Sequence, residues 1–274
     1  MELNTYDMLG RPEDIEPVSG VIRTYSQFKR DLKSPDFLIV VGGDGTLVWR
    51  EYRERVYNSR ILRVHQRKES RKTQGYTADI TNLDKLRTAL DDITNGDYFL
   101  QEEKLIDLFV NDEKRDTAIY DIAIIHKNPF YTLLFDAVVD RYKIKIDEAL
   151  PSPKCDKFLV STPHASAAWS FSVGGPINLD ADSMLINIVG SPIRPDCFTA
   201  NMEYPLYVKV YCDVFIGVDA PSGNIHEAKD GAEILIKESD KRISFIRTTN
   251  TLESLLEKTY RRIEHSQKPV KQSG

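Results

Sequence analysis

The chain has 274 residues, of which 41% are hydrophobic and 29% charged, with a formal net charge of -5. That profile excludes a disordered chain and leaves room for one large domain or two modest ones. The acidic balance also argues against a general nucleic-acid surface.

In chain order, residues 25–32 read as a short helix. Residues 36–41 read as a buried strand, because they are apolar and stop at two glycines. A charged helix is expected over 47–56 and a second strand over 59–64. Residues 82–93 form a stronger helix: Leu83, Leu86, Leu90 and Ile93 recur at helical spacing, Asn82 suits the start, and Asn95-Gly96 suits the end. After Tyr98 the texture changes to strands, at 104–110, 118–126, 132–139, 143–146, 184–189, 206–211, 214–218, 232–237 and 243–247. Asn111-Asp112 and Asn128-Pro129 supply turns between them. A closing helix is expected over 252–263, ahead of a loose polar tail. The division is therefore an α/β domain over 1–100, a β-rich domain over 101–250, and a C-terminal helix and tail over 251–274 that packs back on the first domain.

Three cysteines, Cys155, Cys197 and Cys212, form no metal-ligand spacing and fit a reducing cytoplasm. The acidic N-terminal stretch MELNTYDMLGRPEDIEP does not read as a signal peptide. No stretch approaches the roughly 20 apolar residues that span a bilayer. A cytoplasmic protein with no membrane partner is expected.

Chemistry concentrates first in GGDGT, residues 42–46. Glycines at the end of a strand let the backbone turn sharply and approach a ligand. Exposed N–H groups there cradle phosphate oxygens, and ligands of open α/β sheets sit beyond the strand ends. Asp44 then suits one of two tasks, activating an attacking hydroxyl or holding magnesium. A plain turn, with Asp44 bonded to nearby N–H groups, explains the stretch equally well. The spacing is not that of a Walker loop, and no lysine follows.

The second concentration is STPHASAAWSFSVGGP, residues 161–176. Thr162 and Pro163 suit a helix start, small residues follow, and Gly174-Gly175 ends the segment. Such a start offers N–H groups to a bound anion, and Trp169 offers a flat face to a base. Packing of a small-residue face, with Trp169 in the core, is the plainer alternative.

Together and in this order, the two motifs resemble the NAD kinase family, which carries Gly-Gly-Asp-Gly-Thr and later Ser-Thr-Pro-Thr-Gly-Ser-Thr-Ala-Tyr leading to Gly-Gly-Pro-Ile. Here the matching residues are Gly42 to Thr46, Ser161 to Trp169 and Gly174 to Ile177. The first motif is shared with lipid and sphingosine kinases; the second is more specific. The resemblance covers most of the chain and extends to Gly75-Tyr76, Asp79-Ile80 and Gly217-Val218-Asp219. It implies an α/β nucleotide-binding domain followed by a β-sandwich-like domain. It also implies transfer of a phosphoryl group from ATP or polyphosphate, with Mg2+, to the 2′-hydroxyl of NAD's adenosine ribose. Partners would then be NAD and ATP, in a homodimer or homotetramer.

By the same resemblance Asp44 is the base, Gly45 admits the dinucleotide, and Gly42, Gly43 and Thr46 meet phosphate. Asp121, Asp156, Thr162, Ser166, Ala168, Trp169 and Ser172 fall at acceptor-binding positions. Several positions depart from the pattern. Tyr120-Asp121 stands where the family has Asn-Glu, and Cys155-Asp156-Lys157 where it has Gly-Asp-Gly. His164, Ala165 and Ala167 replace Thr or Ser, Gly and Thr, and Trp169 replaces Tyr. A basic loop containing Arg63, His65, Arg67, Lys68, Arg71 and Lys72 replaces Gly-Ile-Asn and Gly-Arg; it reads either as a cationic donor-phosphate contact or as solvated surface. The family's opening apolar strand is not identifiable, and Glu102-Glu103 reads as solvated. Two alternatives remain open at this point: a kinase of the same fold acting on a lipid, nucleoside or sugar hydroxyl, and a non-catalytic dinucleotide sensor.

Overall fold

A computed structural model describes residues 3–49, 51–65, 80–140, 142–143, 154–178, 180–191, 196–220 and 224–249. The chain divides into two compact units. The first holds residues 1–47, 54–102 and 244–274; the second holds 48–53 and 103–243.

The first unit contains β1 (Thr5–Gly10), α1 (Pro12–Ile22), β2 (Lys29–Arg30), β3 (Phe37–Val41), α2 (Asp44–Leu47), α3 (Arg53–Val56, apart from Arg53), β4 (Arg60–Val64) and α4 (Leu83–Asn95). Its strands pair in parallel in the order β2-β1-β3-β4, and Ser244 and Phe245 extend the sheet beyond β4. All five residues of β3 are buried, as expected of a parallel strand with neighbours on both edges. Asn82 accepts a hydrogen bond from Lys85 N–H at 2.8 Å and starts α4; Gly96, at φ 80°, ends it in the left-handed region. Leu86, Ala89, Leu90 and Ile93 face the core with Val18, Val21 and Ile22 of α1.

The second unit follows with β5 (Phe99–Val110, from Glu103 onward), β6 (Glu113–Ala118), β7 (Asp121–His126), β8 (Leu133–Val139), β9 (Tyr142–Lys143), β10 (Lys154–Cys155), β11 (Lys157–Ser161), β12 (Ser183–Val189), β13 (Cys197–Asn201), β14 (Leu206–Val210), β15 (Val214–Val218), β16 (Asn224–Ala228) and β17 (Glu233–Arg247, as far as Ile243). One antiparallel sheet runs β10-β8-β14-β17, and another runs β13-β12-β11-β7-β15-β16. Their inner faces share one core, where Phe135 of β8 meets Phe158 of β11 edge to face at 4.9 Å. The unit is β-sandwich-like, as expected.

Several local expectations are corrected. An opening strand exists: β1 carries the buried Asp7, neutralised by Arg30 at 3.0 Å and Arg55 at 2.6 Å. Residues 25–32 form turns and β2 instead of a helix, and the helix expected over 47–56 is broken into α2 and α3. The strand expected over 118–126 splits at Ile119-Tyr120, whose N–H groups turn to the carboxylate of Asp219. The two last strands are one, β17, and β10, β11, β13 and β16 join those expected from the sequence. The closing helix over 252–263, residues 144–146 of an expected strand, and the 66–79 part of the basic loop lie outside the described residues.

Candidate functional site

In the first unit the glycine turn follows directly from β3. Gly42 adopts φ 139°, and a Cβ there would collide with the hydroxyl of Thr46. Its N–H donates to Val64 O at 2.8 Å, and Thr46 N–H donates to Gly43 O at 3.0 Å. Asp44 and Gly45 open α2, so the turn passes directly into helical backbone. Behind the turn, the buried Arg63 of β4 donates through Nη2 to Gly43 O at 3.0 Å and Gly42 O at 3.4 Å. These bonds fix both carbonyls and leave a guanidinium charge beside the turn. Arg63 is thus a buried residue of the strand expected over 59–64, although the sequence also counted it in the basic loop. Gly42, Gly43, Asp44, Gly45 and Thr46 are contiguous, and the first unit holds them together with Arg63 and His65.

In the second unit, Asp121 and Ser161 stand opposite each other on β7 and β11. The Ser161 hydroxyl donates to Asp121 Oδ1, and both side chains are buried. Burial pushes the Asp121 carboxyl up to about 7; the Ser161 bond opposes this, and the Asp219 charge adds to it. Thr162 is wholly buried. It donates through Oγ1 to Ile119 O at 2.9 Å and through N–H to Tyr120 O at 2.9 Å. Its hydroxyl makes no side-chain helix cap; it bonds the Ile119-Tyr120 backbone instead.

The segment after Thr162 is not a regular helix. A 3-10 turn, Pro163–Ala165, passes into a π turn, Ser166–Ser170, with a break at Ala168 (φ -97°, ψ -111°). Such irregular turns are frequent at functional sites. The buried Ser166 closes a loop by accepting from Asn178 N–H at 2.9 Å. Ser172 is exposed and donates to Trp169 O at 2.7 Å. Trp169 is half-buried, and Lys157 Nζ lies 4.3 Å from its ring centroid, so one face of the ring already carries a cation. Burial pulls the Lys157 ammonium down. Asp156 is exposed just ahead of β11, and a Cβ on Gly190 would strike its carboxylate.

Two positions that depart from the family pattern touch each other. The Tyr120 ring lies parallel to the imidazole of His164, with centroids 5.8 Å apart and planes 10° apart. His164 Nδ1 stands 3.6 Å from Glu103 Oε1, and all three residues are buried. Glu103 is therefore not the solvated residue expected. Asp219 accepts from Ile119, Tyr120 and Asp121 N–H groups at 3.0, 2.7 and 3.1 Å. Its place in Gly217-Val218-Asp219 was the only signal for it in the sequence. Arg53, its ion-pair partner at 3.1 Å, had none.

The second unit thus gathers Asp121, Thr162, Ser166, Ala168, Trp169, Ser172 and Asp156 around β11 and the turns that follow it, with Asp121 and Asp156 at opposite ends of that strand. Among the described residues no three His, Cys, Asp or Glu side chains gather as a metal cage. Among them, too, no helix is long and apolar enough to cross a membrane.

No family model matches the chain. The NAD kinase of Thermococcus sibiricus is 31% identical over 167 residues, covering 61% of this chain and 54% of that relative. The chain therefore spans about half the length of that curated relative. Among solved structures, yeast NADH kinase complexed with NADH aligns with a TM-score of 0.75 at 14% identity, over 100% of this chain and 90% of that one. An NAD kinase from Archaeoglobus fulgidus in complex with ATP aligns with a TM-score of 0.71 at 15% identity, over 93% of this chain and 98% of that one. At these identities the two structures establish the fold.

Proposed function

We propose that this chain, a member of the NAD kinase family, transfers the γ-phosphoryl group of ATP to the 2′-hydroxyl of the adenosine ribose of NAD, giving NADP. One observation carries the reading. A glycine turn closing a buried parallel strand and an ordered Ser161–Trp169 segment occur in one chain, in the order and fold of that family.

Each unit has its own task in this reading. In the first, Gly42, Gly43 and Thr46 meet donor phosphate through the backbone, and Gly45 leaves room for the dinucleotide. Asp44 takes the proton of the ribose hydroxyl as its oxygen bonds to the γ-phosphorus and the bond to ADP breaks. The Arg63 charge lies beside the turn and favours an anionic ligand there. In the second unit, Asp121, Asp156, Ser166, Ala168, Trp169 and Ser172 hold the acceptor, while Thr162 holds the backbone that carries Asp121.

Magnesium would be held chiefly by the donor's phosphates, with Asp44 the carboxylate of the turn that would assist, and it would supply neutralisation of the charge that develops on them. Polyphosphate is the second donor of this reading. The chain works in the cytoplasm as a homodimer or homotetramer.

The test is a screen with γ-labelled ATP against NAD, NADH, nucleosides, sugars and lipid alcohols. NAD or NADH is expected to be phosphorylated with far the highest kcat/KM. A lipid, nucleoside or sugar preferred over both would overturn the reading.

A further inference from the structure

We infer that Arg53 is a positioning residue for the acceptor-binding run Ile119–Asp121, acting through Asp219; this rests on the functional reading above. Arg53 belongs to the second unit and is almost wholly buried, as is Asp219. The two arms of its guanidinium have different partners. Nη1 pairs with Asp116 Oδ1 at 3.1 Å, and Asp116 also accepts from Asn224 Nδ2 at 2.7 Å and lies 3.1 Å from His226 Nε2. Nη2 pairs with Asp219 Oδ2 at 3.1 Å and also donates to Thr117 O.

The second arm leads to the acceptor-binding residues. Asp219 Oδ1 accepts from Tyr120 and Asp121 N–H groups, and Oδ2 from Ile119 N–H and Arg53. Asp219 sits at φ 53°, and its own N–H donates to Asp121 O at 2.8 Å. Asp219 therefore holds Asp121 at both its N–H and its carbonyl. From the opposite side Thr162 holds the carbonyls of Ile119 and Tyr120. Every N–H and carbonyl of the short run that aims the Asp121 side chain is thus held, by Asp219 or by Thr162.

Burial pushes the Asp219 carboxyl above its ordinary value; the facing guanidinium and the three N–H groups oppose that shift and fix its orientation. The planar guanidinium reaches Asp116 and Asp219 at once, which one ammonium cannot do with the same fork geometry. Weakening the Asp219 arm loosens the Ile119–Asp121 backbone and is felt in acceptor binding. Weakening the Asp116 arm leaves that backbone in place.

The experiment compares Arg53→Lys with Asp116→Asn in NADP formation and thermal melting. Both variants are expected to melt lower than wild type. Arg53→Lys is expected to raise KM for NAD about tenfold with kcat changed less than about threefold, while Asp116→Asn leaves KM within about twofold. Asp219→Asn, which keeps a single acceptor oxygen, is expected to raise KM as Arg53→Lys does and carries the test if the lysine variant does not fold. Equal KM changes in the two arms, or none in either, would overturn the inference with the functional reading intact. A wild type that neither binds nor phosphorylates NAD would overturn both.

Discussion

Ser161 donates its hydroxyl hydrogen to the carboxylate of Asp121 across the β7–β11 ladder, where both side chains are buried. The pair joins the two sequence stretches that the resemblance assigned to the acceptor. It also places a carboxyl whose ordinary value is 3.8 in an interior that pushes it up to about 7.

That shift makes stability depend on pH. Between about 4 and 7 the folded chain keeps the Asp121 proton and the unfolded chain has lost it. The contribution is therefore complete below about 4, falls as pH rises towards 7, and is flat above; its ceiling is about 4 kcal/mol. Asp121→Asn keeps an acceptor for Ser161 and removes the titration. Chemical denaturation from about pH 4.5 to 7.5 is expected to show a falling stability in wild type and a flatter line in the variant. Parallel lines would refute the assignment.

The glycine turn makes a second prediction. Gly42 needs a positive φ and has the Thr46 hydroxyl where a Cβ would stand. Gly42→Ala is expected to destabilise the fold by about 1–3 kcal/mol. Gly20, in α1, has no neighbour within 4 Å of the place a methyl group would take. Gly20→Ala is expected to be neutral or stabilising by about 1 kcal/mol. Melting temperatures of the two variants decide the matter.

The Tyr120–His164 stack unites two departures from the family pattern, far apart in the sequence, into one contact. Tyr120→Asn and His164→Thr would each leave one ring without its partner. The double variant is expected to be more stable than the sum of the singles by about 1 kcal/mol. Its KM for NAD is expected to lie closer to wild type than that of either single variant. Additive effects on both quantities would show that the two residues changed independently.

Much of the fold was readable because local pattern and burial agree. Phe37–Val41 is uniformly apolar and proves to be a central parallel strand. Asn82 and Gly96 bracket α4 with the chemistry that helix ends require. β1 escaped because Asp7 interrupts its apolar run, and the two arginines that neutralise it come from elsewhere in the sequence. The break at Ile119-Tyr120 depends on Asp219, about a hundred residues away, so no local rule marks it. Arg53 looks like one charge among several in a polar stretch; only its distant partners, Asp116 and Asp219, distinguish it. The Ser161–Trp169 stretch was readable as a motif but not as a shape, because the turn at Ala168 abandons helical geometry.

Asp44 is the residue proposed to activate the 2′-hydroxyl of NAD. The most direct measurement is NADP formation from NAD, ATP and magnesium by wild type and Asp44→Asn, read with an NADP-specific dehydrogenase. Wild type is expected to produce NADP steadily, and the variant to lose at least about a hundredfold in kcat at an unchanged melting temperature. Wild-type protein that makes no NADP with ATP or polyphosphate, or an Asp44→Asn variant that keeps full turnover, would contradict that role.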